Sequence, residues 1–320
     1  MILPERLAKA ALHLSSSATI SGTRSSVVRK RRLCSLWSEK QYVTKAKAFS
    51  TSTAPSDPII SIPDLQSALT KHAPDIQKSL SSNGFFATNS SKSEYDILPR
   101  ETIQVMRQQA INLRKQGRFE QSWSEKIDAT GVASRFDKDG VFACEPDGRD
   151  YDTAPDLITY MSVVLQTLPD LLNAEEPNHG LSVSSFNAKL AVTSPGGSTY
   201  PLHIDNPQGL AVGDTRKLTC ILYLNPDYKV GDGGELRMLI NSDTNSDDDV
   251  ETIDFTPCGG RLILFWSDEI PHEVLPTAPT ADISDEQFDR YALTIWIPTD
   301  NHHTILSGSS KWAALRDKAF

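Results

Sequence analysis

Between Ser185 and Ile297, short apolar runs alternate with residues that favour turns. The runs are separated by Pro-Gly, Asn-Pro-Asp, Gly-Asp-Gly-Gly and Cys-Gly-Gly, which are strong turn signals. A chain that turns this often has no room for long helices, and many short strands predict a β-sandwich or β-barrel. The predicted strands are Phe186–Thr193, Leu218–Leu224, Glu235–Ile240, Thr252–Phe255, Arg261–Trp266, His272–Leu275 and Tyr291–Ile297.

The preceding region has a different pattern, in which apolar residues recur as on one face of a helix. Pro74 predicts a break or a restart in the first of these helices, and Asn83-Gly84 predicts its end. The stretch from Ser122 to Tyr151 is polar and lacks this spacing, so we predict a mobile loop there. The predicted helices are Pro63–Ser82, Pro99–Gln116 and Pro155–Leu172.

These patterns predict a fold that is mainly β with supporting α-helices. Residues 54–184 form an N-terminal helical support region, and residues 185–300 form the β core. Residues 301–320 form a C-terminal tail, in which the pair His302-His303 is expected to be exposed. Residues 1–53 differ from all of these in composition.

The first 53 residues hold ten Lys/Arg and two acids, and they are rich in Ser and Thr. This composition is typical of organellar transit peptides. The opening residues are amphipathic and basic when placed on a helix, and Ala48-Phe-Ser-Thr-Ser-Thr53 resembles the end of a mitochondrial presequence. We therefore predict a mitochondrial targeting segment. A disordered basic tail on a cytoplasmic or nuclear protein is the alternative.

The rest of the chain is acidic, with 22 Lys/Arg and 39 Asp/Glu. An acidic body argues against nucleic acid as the main partner, because it repels the phosphate backbone. The four cysteines show no C-x-x-C spacing, which favours free thiols over a zinc site or a redox dithiol. Apolar runs are all too short to span a bilayer.

A candidate metal site lies in the stretch Tyr200-Pro-Leu-His-Ile-Asp-Asn-Pro207. Side chains two apart on an extended segment point to the same face, so His203 and Asp205 share one space. A second histidine, His272, follows in Trp266-Ser-Asp-Glu-Ile-Pro-His-Glu-Val274. Two histidines and one carboxylate are the ligand set of the facial triad in non-haem Fe(II) oxygenases.

A candidate anion site lies on two of the predicted strands. Arg290 begins the last strand, and its guanidinium suits a two-point contact with a carboxylate. Tyr223 lies on the mostly apolar strand Leu218-Thr-Cys-Ile-Leu-Tyr-Leu-Asn225. A buried tyrosine hydroxyl needs a polar partner, and a ligand carboxylate would supply one.

Six motifs occur in the order seen in the EGL-nine-type prolyl hydroxylases, the oxygen-sensing branch of the Fe(II)/2-oxoglutarate dioxygenases, which this chain therefore resembles. They are His-Ile-Asp-Asn-Pro, Leu-Thr-Cys-Ile-Leu-Tyr-Leu-Asn, Gly-Gly-Glu-Leu-Arg, Leu-Phe-Trp-Ser-Asp, Pro-His-Glu-Val and Arg-Tyr-Ala-Leu-Thr-Ile-Trp. The similarity is dense from about Ala188 to Ile297. It implies a double-stranded β-helix, or jelly-roll, core buttressed by N-terminal helices.

The resemblance also implies the roles of the site residues. His203, Asp205 and His272 correspond to the iron ligands, and Arg290 and Tyr223 to the binders of the 2-oxoglutarate C5 carboxylate. Thr294 and Trp296 are expected in the wall of the same pocket. The implied cofactors are Fe(II), 2-oxoglutarate, dioxygen and ascorbate, and the implied reaction is 4-hydroxylation of a prolyl residue in a protein. The alternatives are an oxygenase for another residue or a small molecule, and a jelly-roll binding protein without turnover.

The chain departs from the family pattern at three places. Ser194, before Pro195-Gly196, stands where the family has a tyrosine that contacts the cosubstrate. The link Pro276–Asp289 is longer and more acidic than in the family. The substrate-covering segment Ser122–Gly148 matches poorly, so the identity of the protein substrate does not follow from the resemblance.

Overall fold

The computed structural model describes residues 57–88, 97–127, 133–197, 199–241, 250–279 and 286–306. The predicted targeting segment, the acidic stretch 242–249 and most of the C-terminal tail lie outside these residues. The helices are α1 (Ile62–Asn83), α2 (Arg100–Lys115) and α3 (Pro155–Glu175). The strands are β1 (Phe85–Ala87), β2 (Glu120–Ile127), β3 (Ala133–Cys144), β4 (Asn187–Thr193), β5 (Tyr200–His203), β6 (Arg216–Tyr223), β7 (Leu236–Asn241), β8 (Val250–Phe255), β9 (Leu262–Trp266), β10 (His272–Val274) and β11 (Arg290–Pro298).

The strands form two antiparallel sheets. The seven-stranded sheet has the order β1-β9-β6-β11-β4-β3-β2, and the four-stranded sheet has the order β5-β10-β7-β8. Strands that are distant in sequence are neighbours in both sheets, which is the arrangement expected of a jelly roll. The predicted fold class is confirmed, and all seven predicted strands are present within about two residues of their predicted ends.

The larger sheet buries both of its faces, and β11 shows how its residues divide between them. Tyr291, Leu293 and Ile295 belong to the core that the helices cover. Ala292 belongs to a second core that includes residues of the smaller sheet. Successive side chains of a strand point to opposite faces, so one face of β11 packs on helices and the other faces the space between the sheets. The candidate site residues lie in that space.

Helix α1 runs unbroken through Pro74, so the predicted break is wrong. Pro74 removes the hydrogen bond to the carbonyl of Thr70. The helix continues because its apolar stripe packs on the core, with Leu69 and Ile76 fully buried on either side of the proline. The predicted end is correct, since Gly84 caps the helix with a φ of 79° that favours glycine.

The predicted loop from Ser122 to Tyr151 is mostly a hairpin, formed by β2 and β3. β3 also pairs with β4, so the hairpin extends the larger sheet by two strands. The N-terminal support region therefore contributes three strands, β1 to β3, as well as its helices. Sequence reasoning missed the hairpin because exposed polar residues such as Arg135, Asp137 and Asp139 alternate with few apolar ones.

The other predictions outside the site concern the tail, the thiols and the membrane. His302 and His303 are exposed, as expected, whereas Ile305 is buried and docks the start of the tail. Cys144, Cys220 and Cys258 are free thiols. Among the helices of the described residues, none combines the length and the apolar character needed to cross a membrane.

Candidate active site

The three candidate metal ligands lie together between the two sheets. In the smaller sheet His272 on β10 pairs directly with His203 on β5, and Asp205 follows β5 by two residues. The Asp205 Oδ1 atom lies 3.5 Å from Nε2 of His203 and 3.8 Å from Nε2 of His272. One ligand atom from each residue lies within 4.8 Å of the other two. Sheet register therefore completes the set that the H-x-D spacing began.

Both imidazoles are held in the tautomer that binds a metal through Nε2. Nδ1 of His203 lies 2.8 Å from the carbonyl oxygen of Pro201, and Nδ1 of His272 lies 3.0 Å from that of Ile270. A carbonyl oxygen can only accept a hydrogen bond, so each Nδ1 carries the hydrogen. Each Nε2 is then left with a lone pair directed at the shared space, as in metal-ligating histidines.

The carboxylate of Asp205 is divided between two tasks. Its Oδ2 accepts hydrogen bonds from Thr219 Oγ1 at 2.8 Å and from Trp296 Nε1 at 2.9 Å. Because Thr219 uses its hydrogen there, the Ser267 hydroxyl must donate to Thr219 across their 2.7 Å contact. Oδ1 is the oxygen that faces the two histidines. Such outer contacts fix a ligand's orientation before any metal binds.

The charge states of these groups suit a divalent cation. Burial by itself would raise the pKa of Asp205, but His272, His203 and Arg216 outweigh that effect and hold the pKa well below its usual range. Burial, aided by the neighbouring His203, lowers the pKa of His272 to about 4. At neutral pH the site thus presents an ionised carboxylate and a neutral imidazole, which are the forms that ligate metals. The residues present fit an Fe(II) ion.

Arg290 lies buried at the start of β11, on the face that lines the space between the sheets. Its Nε donates to the carbonyl oxygen of Gly234 at 2.7 Å, and one terminal nitrogen donates to the Tyr223 hydroxyl at 3.3 Å. A Cβ at position 234 would lie 2.6 Å from the Arg290 side chain, which explains the Gly-Gly of this motif. No carboxylate of the described residues forms an ion pair with Arg290, so its charge is available to a ligand anion.

The sequence model of one protein family, described as the 2OG-Fe(II) oxygenase superfamily, matches residues 188–298. That range contains the three clustered ligands and Arg290. Residues 188–298 are thus similar to the 2OG-Fe(II) oxygenase superfamily.

Two curated proteins resemble this chain, and the longer of the two matches exceeds the length of residues 188–298. Egl nine homolog 1 of Rattus norvegicus is 31% identical over 210 residues, which cover 63% of this chain and 53% of the rat protein. Prolyl hydroxylase EGLN3 of Homo sapiens is 37% identical over 101 residues, which cover 31% of this chain and 35% of the human protein. The chain thus spans about half or less of the length of these relatives. The resemblance to EGL-nine-type prolyl hydroxylases is confirmed.

A solved structure supports the same conclusion for the fold. A prolyl hydroxylase from Trichoplax adhaerens, in complex with a hypoxia inducible factor oxygen degradation domain peptide fragment, superposes with a TM-score of 0.54. The two sequences are 25% identical, and the match covers 79% of this chain and 100% of that one. The match supports the double-stranded β-helix core expected from the resemblance.

The structure places the remaining predicted residues of the oxygenase domain on the same face of β11 as Arg290. Thr294 is half-buried and pairs with Ile221 on one side and Lys189 on the other. Trp296 is half-buried too, but its observed contact is the hydrogen bond to Asp205 rather than one to Arg290 or Tyr223. Trp296 therefore positions a metal ligand, and its predicted place in the cosubstrate wall stays a prediction.

Sequence reasoning missed three contributors to this site. Thr219 shares a face of β6 with Tyr223, since the two are four residues apart, so strand periodicity was the signal that could have found it. Arg216, the first residue of β6, donates to the Asp205 carbonyl oxygen at 2.6 Å. Thr193 pairs with Arg290, and its buried hydroxyl has no partner among the described residues.

Thr193 changes the significance of Ser194. Residues paired across an antiparallel ladder share a face, so Thr193 rather than Ser194 stands beside Arg290. Ser194 instead lies in the turn after β4, where its carbonyl oxygen accepts from Thr277 Oγ1 at 3.0 Å. The family has a tyrosine at the position of Ser194. In this chain the side chain beside Arg290 is instead the short hydroxyl residue Thr193.

Proposed function

We propose that this chain is an Fe(II)- and 2-oxoglutarate-dependent dioxygenase that hydroxylates a prolyl residue of a protein. The proposal rests on two sets of ligand-binding groups that lie together between the two sheets. His203, Asp205 and His272 offer three metal-binding atoms, and Arg290 with Tyr223 offers donors for a carboxylate. A protein that only bound partners would gain nothing from burying these groups, because buried polar atoms without partners cost free energy.

Each residue has a defined role in this function. His203, Asp205 and His272 would hold the iron, while Thr219 and Trp296 keep the Asp205 carboxylate oriented. Bound Fe(II) together with 2-oxoglutarate supplies the dioxygen activation that no side chain can perform. The overall reaction converts 2-oxoglutarate, dioxygen and a C–H bond into succinate, carbon dioxide and a C–OH group, so both oxygen atoms are accounted for.

Arg290 and Tyr223 would bind the far carboxylate of 2-oxoglutarate. The guanidinium is fixed by Gly234 at one nitrogen, which leaves its remaining N–H groups directed away from that contact. The Tyr223 hydroxyl accepts from Arg290 and keeps its own hydrogen to donate. A carboxylate between them would receive charge-assisted hydrogen bonds from preformed donors in a water-poor pocket.

The choice of a prolyl residue as substrate rests on the relatives. The rat and human proteins are an Egl nine homolog and a prolyl hydroxylase, and the Trichoplax adhaerens enzyme was solved with a peptide fragment. A proline's fixed φ also lowers the entropy lost when an extended peptide is held beside the metal. We propose that the hairpin of β2 and β3, which lies at one edge of the larger sheet, borders such a peptide. We further propose that ascorbate sustains turnover by keeping the iron reduced.

Succinate release and mass spectrometry test the function together. The purified chain with Fe(II), 2-oxoglutarate and ascorbate should form succinate. When a proline peptide is added, the additional succinate should equal, mole for mole, the peptide that gains 16 Da. His203→Ala should reduce turnover by at least about a thousandfold, since three ligands hold the metal. His302→Ala, which changes an exposed histidine of the tail, is the matched control. Marks on residues other than proline would reject the prolyl assignment and keep the oxygenase.

We also propose that residues 1–53 direct the protein to mitochondria. The support is their basic, acid-poor composition alone. A fluorescent protein fused to residues 1–53 should enter mitochondria, and the same fusion with Arg31 and Arg32 changed to Glu should not. A diffuse signal from the first fusion would reject the proposal.

A further inference from the structure

Two lysines share one aromatic ring beside the active site. Nζ of Lys138 lies 3.9 Å from the centre of the Tyr200 ring, and Nζ of Lys189 lies 5.4 Å from it. All three side chains are half-buried. The lysines come from β3 and β4 of the larger sheet, and Tyr200 begins β5 of the smaller sheet. The cluster therefore spans the gap between the two sheets.

This cluster carries positive charge without a counter-charge among the described residues. Neither lysine forms an ion pair with any carboxylate of the described residues, in a chain whose net charge is −9. Burial, and to a smaller extent the neighbouring Lys189, lowers the pKa of Lys138 to about 8. The Tyr200 hydroxyl is buried and has no hydrogen-bond partner within the described part of the chain. Two cations and a free hydroxyl together form a set of donors that lacks an acceptor.

The cluster is adjacent to the metal ligands. Lys189 pairs directly with Thr294, which is two residues from Trp296, the donor to Asp205. Tyr200 precedes His203 by three residues on the same strand. Paired residues on one face of a sheet have Cβ atoms about 5 Å apart, so the Lys189 side chain starts beside Thr294, two residues along the strand from Trp296. Arg290, at the far end of β11, already serves the cosubstrate carboxylate.

We propose that Lys138, Lys189 and the Tyr200 hydroxyl form a recognition site for a carboxylate of the substrate, carried by an acidic residue close to the target proline. The inference rests on the proposed function, because it assumes a substrate held beside the metal ligands. Two ammonium groups and one hydroxyl match a carboxylate, which has only acceptors. The anion would separate the two like charges and satisfy the Tyr200 hydroxyl, so binding removes two unfavourable features of the free protein.

Matched peptides test the site by binding, without turnover. Each probe has one proline in an Ala/Gly background, with Glu at one of three positions on either side, and its partner has Gln there. Fluorescence anisotropy is measured with Zn(II) in place of iron and with 2-oxoglutarate present. At one of these positions, the Glu peptide should bind roughly ten- to a hundredfold more tightly than its Gln partner. Lys189→Gln should abolish that difference, while Lys78→Gln, which removes an exposed charge on α1, should retain it.

A charge swap makes the test independent of any loss of folding. Lys189→Glu should reverse the preference, so that a peptide with Lys at the same position binds more tightly than the Glu peptide. The inference is overturned if Glu and Gln peptides bind equally at all six positions, or if Lys189→Gln leaves a Glu preference intact. It is also overturned if Lys189→Gln weakens the binding of 2-oxoglutarate and leaves the binding of the peptide unchanged. These results differ from failure of the proposed function, in which proline and alanine peptides bind equally and none gains 16 Da.

Discussion

Two buried cations, Lys217 and Arg290, lie in the same domain and serve opposite purposes. Lys217 is 3% exposed and contacts two carboxylates, Asp268 at 3.0 Å and Glu269 at 2.8 Å. Arg290 is 8% exposed and contacts a carbonyl oxygen and a hydroxyl. Burying a charge is costly unless it is paired, so the first site is complete within the protein and the second is completed by a ligand.

The comparison gives a rule for reading the whole molecule. Positive side chains that already contact carboxylates hold elements together, as Lys217 joins the start of β6 to the turn after β9. Arg290, Lys138 and Lys189 form no ion pair with a carboxylate of the described residues, and they border the space between the sheets. Stability and function are thus assigned to different cations, and a substitution of Lys217 or of Arg290 should affect one without the other.

Lys217→Met should have the largest effect, and the effect should be on folding. It leaves the buried Asp268 carboxylate without its cation, which costs roughly 3–5 kcal/mol for a buried pair. Urea unfolding should measure this loss, while the Kd for 2-oxoglutarate of the folded protein stays unchanged. Arg237→Met, which breaks an exposed pair with Asp254, is the control and should cause a much smaller loss. If Lys217→Met raised the Kd for 2-oxoglutarate and left stability unchanged, Lys217 would serve ligand binding rather than folding.

Arg290→Met should have the next largest effect, and the effect should be on cosubstrate binding. Loss of the charge-assisted contacts should raise the Kd for 2-oxoglutarate by about a hundredfold. The wild-type protein should gain about 2.7 kcal/mol of stability at a 2-oxoglutarate concentration of 100 Kd, and the variant should gain almost none at that concentration. Thermal unfolding with and without 2-oxoglutarate measures both. An equal loss of stability without ligand would mean that Arg290 is structural, like Lys217.

The strands and the metal ligands could be predicted because their signals are local. Short apolar runs bounded by turn residues mark β6 and β11, and the spacing of His203 and Asp205 puts both on one face. What could not be predicted depends on register. That His272 pairs with His203, or that Lys189 pairs with Thr294, is set by strand order in the sheets, which one sequence does not display.

The hairpin of β2 and β3 could not be predicted for a different reason. Periodicity identifies a strand when one face is apolar, and here Arg135, Asp137 and Asp139 are exposed while Lys138 faces inward. A lysine on the inner face breaks the alternation that identifies a strand. Lys138, which hid the strand from prediction, is also one of the two lysines of the proposed carboxylate site, as expected where function overrides a local rule.

Tyr223→Phe should have a smaller effect than Arg290→Met and should sharpen the contrast. The change removes one neutral hydroxyl, worth roughly 1 kcal/mol, and leaves the Arg290 charge in place. The Kd for 2-oxoglutarate should therefore rise about fivefold, as measured by calorimetric titration, with the ring packing retained. Tyr228→Phe, which loses a hydroxyl bonded to Glu235, is the control and should bind 2-oxoglutarate normally. An unchanged Kd in Tyr223→Phe would place the carboxylate on Arg290 alone.

Thr193→Val should have the smallest effect, and it should change both stability and cosubstrate binding through a single residue. The Thr193 hydroxyl is buried beside Arg290 without a partner among the described residues, so an isosteric methyl should raise stability by about 1 kcal/mol. Since that hydroxyl faces the cosubstrate space, its loss should also raise the Kd for 2-oxoglutarate about threefold. Thr167→Val removes another unpartnered hydroxyl, on α3, and should stabilise the protein without changing that Kd. If both variants gained stability and neither changed the Kd, Thr193 would belong to the core and the cosubstrate site would end at Arg290.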